Sequence, residues 1–126
     1  MKAMVYHGNK DLRLQDVEEP HPTQNEVKIR IDYCGICATD IEEYMFGPKF
    51  ISVQPNPVSG QCIPIITGHE LTGTVVGVGD EAKGVRLQDR VVVDGFIHCN
   101  NCWSCSHGQY SQCMNAATVG FGRNGG

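Results

Sequence analysis

The sequence predicts a mainly β fold with short helices, and three features carry that reading. Apolar and charged residues alternate from Glu26 to Tyr33, β-branched residues dominate Leu71 to Val78, and glycine and proline punctuate the chain at short intervals. Alternation with period two marks a strand buried on one face. Several such runs at close spacing mark an antiparallel barrel or sandwich.

Taken in order, Lys2 to Tyr6 and Asp11 to Val17 read as two strands joined by a turn at His7-Gly8-Asn9-Lys10. Glu19-Pro20-His21-Pro22 stops that pairing and leaves His21 in a solvent-exposed loop. In the next strand Val27, Ile29 and Ile31 occupy one face, and Lys28, Arg30 and Asp32 the other. It delivers the chain into Cys34-Gly35-Ile36-Cys37-Ala38-Thr39-Asp40, where Gly35 permits a bend. Thr39 and Asp40 offer capping side chains for a short helix from Ile41 to Met45. Phe46 to Pro64 carries four prolines and little periodicity, so it is expected to be a long surface loop able to wall a cleft. Pro64-Ile65-Ile66-Thr67-Gly68-His69-Glu70 leads into the strand Leu71 to Val78, turned by Gly79-Asp80. Arg90 to Val93 is the last expected strand before a cysteine-rich lobe.

With 126 residues, 40% apolar and 19% charged, the chain has the composition of one soluble globular domain. Its net charge is −4 and its basic residues are scattered, so neither nucleic acid nor an anionic membrane is indicated as a partner. The first residues lack the apolar core of a signal peptide and no run reaches bilayer length, which points to a cytoplasmic protein. Seven cysteines in such a chain are better explained by metal binding or catalysis than by disulfides.

Four of them, Cys99, Cys102, Cys105 and Cys113, fall in a C-x2-C-x2-C-x7-C pattern. The two-residue steps let neighbouring sulfurs converge on one soft cation, and the longer step lets the chain fold back to close a tetrahedron, the geometry zinc accepts from four thiolates. Such a site has no open position and is structural. A ferredoxin cluster would place its fourth cysteine after three residues with a proline behind it; here Met114 follows. A disulfide pair or chance clustering is the remaining alternative. His98 and His107 lie close by, as outer-shell or solvent-facing residues. Cys34 and Cys62 are left as buried or free thiols without a role.

Two glycine runs imitate the dinucleotide fingerprint, Gly77 to Ala82 and Gly120 to Gly125. Neither opens a helix, which that motif needs to face a pyrophosphate. The first reads as a tight strand turn and the second as a flexible terminus, so the chain shows no nucleotide-binding unit of its own.

Cys37, His69 and Glu70 mix ligand types in the manner of a catalytic zinc. Taken singly they read better as a small buried hydrophobe, a core histidine and a solvated strand residue, because ligands this far apart in sequence prove nothing about proximity. The order of motifs goes further. Gly-Ile-Cys-Ala-Thr-Asp at 35 to 40, Gly-His-Glu at 68 to 70, Asp-Arg-Val at 89 to 91 and the four-cysteine lobe together resemble the catalytic domain of the zinc-dependent medium-chain alcohol dehydrogenases. Glu43-Tyr44 and Gly47-Pro48 resemble most closely the butanediol, sorbitol and threonine dehydrogenases of that family.

The resemblance implies a GroES-like β-barrel with a four-cysteine zinc lobe, and a catalytic zinc at a cleft facing a Rossmann domain. It implies Cys37 and His69 as ligands of that zinc, with Glu70 bound directly or through water. Asp40 would orient His69, and Thr39 would receive the substrate proton. Cys99, Cys102, Cys105 and Cys113 would hold the structural zinc. The implied reaction oxidises a secondary alcohol or polyol to a ketone by hydride transfer from a zinc-held alkoxide to NAD or NADP, in a parent enzyme that forms a homo-oligomer.

Three positions depart from the family pattern. Glu42 stands where a proton-relaying histidine is usual, Gln88 where a glycine precedes Asp-Arg-Val, and Ala38 where glycine or arginine is frequent. The chain is expected to be a truncated domain, short of its closing strands and of the Rossmann domain, and inactive alone. The alternative is a stand-alone zinc-binding β-barrel that serves as a structural module.

Overall fold

In the computed structural model, which describes Met1 to Gly126, eight strands form two three-stranded sheets and a two-stranded ribbon. The first sheet has the order β2-β1-β4, with β1 Lys2–Gly8, β2 Asp11–Asp16 and β4 Ile65–Ile66. The second has the order β3-β5-β6, with β3 Val27–Gly35, β5 Glu70–Val78 and β6 Arg90–Val92. The ribbon joins β7 Phe96–Ile97 to β8 Ala117–Thr118. All pairings between named strands are antiparallel, as the alternation in β3 requires. Two-residue strands such as β4, β7 and β8 are too short to show a period, and the sequence did not reveal them.

The core joins segments distant in sequence: Tyr6 from β1, Ile65 from β4, Ile51 and Phe121. Two of these correct the sequence reading. Ile51 is only 3% exposed, so the stretch from Phe46 to Pro64 is not simply a surface loop but sends one side chain into the core. Phe121 is 7% exposed, and the glycine run around it is not a loose terminus. Gly125 N–H donates to the carbonyl of Ile66 at 2.8 Å, and Asn124 Oδ1 accepts from Ile66 N–H at 3.0 Å. These bonds run alongside β4 and bind the glycine run to it.

Helix α1 spans Ala38–Phe46, three residues earlier than expected. Its N-cap is Cys37, so Thr39 and Asp40 lie inside the first turn rather than ahead of it. Asp40 still acts as a cap from the third helical position, its Oδ2 accepting the Cys37 N–H at 2.8 Å. That cap sets the start: the chain leaves β3 at Gly35 and is helical from Ala38.

Arg123 ties the glycine run to the start of β3 by an ion pair with Glu26, whose carboxylate also accepts the N–H and hydroxyl of Thr23 at 3.0 and 2.8 Å. Arg123, then Thr23, hold the Glu26 carboxyl down at about 2, against ~4.3 in an unfolded chain. A depressed folded value contributes stability that is complete above the unfolded value and lost as pH falls toward the folded one. Urea unfolding between pH 5 and 2 is therefore expected to show a stability loss that is reduced in Arg123→Ala; equal slopes in both proteins would contradict the pairing.

Candidate metal centres

Strand register builds the first centre. The last pair of the β3–β5 ladder is Gly35 with Glu70. Cys37 lies two residues beyond that pair on one strand, and His69 one residue before it on the other, so both leave the sheet at the same end. Their donor atoms and a Glu70 carboxylate oxygen lie within 4.8 Å of one another. Glu70 folds over Gly35, where a Cβ would sit 2.4 Å from Glu70 Oε2 and 3.1 Å from its Cβ.

The helix turn supplies the neighbours. Thr39 Oγ1 is 3.5 Å from Cys37 Sγ. Asp40 faces two ways: Oδ2 accepts the Cys37 N–H, while Oδ1 lies 3.4 Å from His69 Nδ1. That distance is long for a hydrogen bond, and the buried Nδ1 has no nearer partner. With Nδ1 turned to a carboxylate, Nε2 is the nitrogen left free to ligate. Thr39, through its hydroxyl and backbone N–H, and then His69 hold the Cys37 thiol below the usual cysteine range. One sulfur, one nitrogen and one carboxylate oxygen converging here fit a zinc with three protein ligands and an open position.

A backbone clamp steadies this centre from behind. Gly68 and Gly120 both have positive φ, 103° and 83°, and a Cβ on Gly120 would lie 2.4 Å from the Gly68 carbonyl oxygen. Only glycine at 120 allows that approach. The clamp also places the Phe121 ring against His69, with centroids 4.6 Å apart. Phe121, Phe50 and Thr39 line a cavity of about 350 Å³ beside the centre.

The second centre is the cysteine lobe, which also contains the short helix α2, Trp103–Ser106, and a 3-10 turn, Tyr110–Gln112. Sulfur separations are 3.5 Å for Cys102–Cys105 and Cys99–Cys113, and 4.0 Å for Cys99–Cys105 and Cys102–Cys113. Four thiolates at ~2.3 Å from one zinc form a tetrahedron with edges of about 3.8 Å. The observed edges bracket that value. They are far from the ~2.05 Å of a disulfide, and all seven cysteines are unpaired. Crowding splits the thiol acidities. Backbone N–H groups of Cys105 and Met114 draw Cys102 down to about 6, while burial and then the neighbouring thiols push Cys105 up to about 12. A set this dense calls for a cation to hold all four as thiolates.

The other predicted positions divide. His107 is exposed and stacks on Trp103, and His98 stacks on Tyr110 with a buried, unpartnered Nδ1. Cys34 is exposed and Cys62 half-buried. Glu42 is exposed, its carboxylate 3.6 Å from Lys49 Nζ. Sequence reasoning missed Phe121, Phe50 and the Glu43 carboxylate as parts of the site; the glycines that flank or adjoin them at 47, 120 and 122 were the available signal.

The alcohol dehydrogenase GroES-like domain model matches residues 23–126. The chain belongs to that family. This GroES-like domain is 43% identical over 95 residues to the (R,R)-butanediol dehydrogenase of Bacillus subtilis, covering 75% of this chain and 28% of the relative. It is 37% identical over 126 residues to the erythritol/L-threitol dehydrogenase of Mycolicibacterium smegmatis, covering 98% and 34%. The crystal structure of the 2R,3R-butanediol dehydrogenase from Bacillus subtilis superposes with a TM-score of 0.90 at 36% identity, covering 99% of this domain and 35% of that chain. The expected mainly β, GroES-like class is thus the fold observed. The domain spans about a third of the length of the curated relatives it matches. No helix is long and apolar enough to cross a membrane.

The lobe has little else to hold it, since only Ser104, Cys105 and Ala117 in and beside it are buried. Zinc in such sites contributes about 10 to 16 kcal/mol in small zinc-folded peptides. Treatment with a strong chelator is expected to make Asp94 to Asn115 protease-sensitive while Tyr6, Ile65 and Val75 stay protected from exchange; an intact lobe after metal removal would contradict the assignment.

Proposed function

We propose that this domain is the catalytic part of a zinc-dependent, NAD(P)-linked dehydrogenase of secondary alcohols or polyols, and that it acts only within a longer enzyme. The observation that carries the reading is the convergence of Cys37, His69 and Glu70 beside Thr39 and Asp40. A structural module has use for the four-cysteine lobe and none for this second, mixed donor set. The names of the butanediol and erythritol/L-threitol relatives point to vicinal diols or short polyols as substrates.

Each residue has a distinct task in this reading. Cys37, His69 and Glu70 would hold the metal, and Asp40 would fix the ring of His69 and the backbone of Cys37. Zinc, when bound, supplies the positive charge that makes an alcohol proton easy to remove. The Thr39 hydroxyl, beside the candidate metal ligands and lining the cavity, would accept a hydrogen bond from the substrate hydroxyl and relay the proton, passing its own on to solvent, while a nicotinamide held by the rest of the enzyme would supply the hydride acceptor. The aromatic rings of Phe50 and Phe121 shield the substrate carbon from water.

The parent enzyme would also close an apolar groove of about 1100 Å³ lined in part by Met4, Leu12 and Leu14 of the first sheet and Ile29 and Ile31 of the second. Met4, Leu12 and Leu14 are all exposed there, and a contiguous apolar patch of this kind marks a surface that further chain or a partner covers. A cytoplasmic, homo-oligomeric parent belongs to the same proposal.

The test is a chimera in which this domain replaces the corresponding third of the Bacillus subtilis butanediol dehydrogenase. With both metals loaded it is expected to oxidise secondary alcohols with a nicotinamide cofactor. Thr39→Ala is expected to lower kcat by about 100-fold or more, the range for loss of a proton-transfer group. A folded, zinc-loaded chimera in which Thr39→Ala keeps full kcat would overturn the role of Thr39.

A further inference from the structure

Glu43 is 2% exposed and the most deeply buried charged residue in the domain. Burying a carboxylate is costly unless its oxygens are hydrogen-bonded. Here they are, by three consecutive backbone N–H groups. Lys49 N–H donates to Oε1 and Oε2 at 2.9 and 3.1 Å, Ile51 N–H to Oε1 at 3.2 Å, and Phe50 N–H to Oε1. Successive N–H groups of this kind form an anion-binding nest, filled by the protein's own side chain. Gly47 leaves room for it: a Cβ there would lie 2.4 Å from Glu43 Oε2.

What the carboxylate holds differs from residue to residue. Ile51 enters the core, and that alone would make Glu43 a structural anchor. Phe50, between the other two donors, stays 59% exposed, so its placement adds little to the core. Its ring instead stands 6.4 Å from that of Phe121, centroid to centroid, and Phe121 lies against His69. Both phenylalanines line the cavity that contains Thr39. The chain of contacts runs from Glu43 through the amides of Lys49 to Ile51, then Phe50 and Phe121, to the His69 ring.

We propose that Glu43 is a positioning residue for the catalytic cleft, fixing Phe50 against Phe121 and, through Phe121, the ring of His69. The proposal rests on the reading of this centre as catalytic for its importance, but its geometry stands without a metal. Cys37 at the N-cap and Thr39 and Asp40 in the first turn belong to the same helix that carries Glu43, so one rigid element sets both the reacting side of the cleft and its aromatic wall.

The test uses this chain at matched zinc content and reads two quantities by nuclear magnetic resonance. The first is exchange protection of the Lys49, Phe50 and Ile51 amides, which Glu43→Gln is expected to reduce by about tenfold or more, as for loss of a charge-assisted bond. The second is the ring-current displacement of the His69 ring protons by Phe121, which a role confined to the core would not move. Glu43→Gln is expected to shift these protons toward their position in free histidine while His107 stays unchanged. Phe50→Leu, which leaves the carboxylate and its core contacts intact, is expected to shift them in the same direction. If amide protection falls while His69 stays in place, or if protection does not fall at all, the proposal is overturned. Should Glu43→Gln fail to fold, Phe50→Leu decides: an unmoved His69 signal sinks the idea. Because no outcome depends on a second bound zinc or on turnover, this result and the metal assignment can fail independently.

Discussion

The register of β3 against β5 is the constraint on which the candidate centre depends. Side chains alternate along a strand, so a slip of one residue would carry Glu70 to the opposite face and draw His69 away from Cys37. Irregularities between Lys28 and Ile29 and between Ile31 and Tyr33 are absorbed within the ladder, and its final pairs, Tyr33 to Gly35 with Thr72 to Glu70, are in step. Val75, fully buried at the middle of β5, and Leu71 near its start pin that strand to the interior. The end of the ladder decides where the candidate ligands meet, since Glu70 opens β5 and Cys37 and His69 flank the last pair.

Around that sheet end the domain uses glycine for close approach. Gly35 lies under Glu70, Gly68 meets Gly120, and Gly47 leaves space for Glu43. Three loops distant in sequence are thereby brought to one cleft, and each contributes something different: a candidate metal ligand, an aromatic ring on that residue, and an aromatic wall. The cysteine lobe follows another logic. It has few buried side chains, and its shape is set by four sulfurs at the spacing of a zinc tetrahedron. One centre is positioned by the fold, while the other positions its own part of the fold.

This contrast explains what could be read in the sequence. The lobe was legible because its ligands are close in sequence and their spacing is a geometric statement. Strands β1, β2, β3 and β5 were legible from their turns and from period-two or β-branched patterns. Cys37, His69 and Glu70 were legible only through their resemblance to a family, since nothing local shows that residues more than thirty apart are adjacent. The helix start moved to Ala38 because Asp40 caps from the third helical position, a choice that composition alone does not make. Phe121 and Glu43 were hidden for a further reason. A phenylalanine among glycines looks like part of a loose end, and a glutamate in a short helix looks solvated, until the core that receives them is known.

The central claim is that the end of the β3–β5 ladder is a metal centre distinct from the lobe. It is tested most directly by zinc content per chain, measured by elemental analysis on the wild type and on the double variant Cys37→Ser, His69→Ala. Two zincs in the wild type and one in the variant are predicted. A single zinc in both would contradict the claim, leaving the four-cysteine lobe as the domain's only metal site.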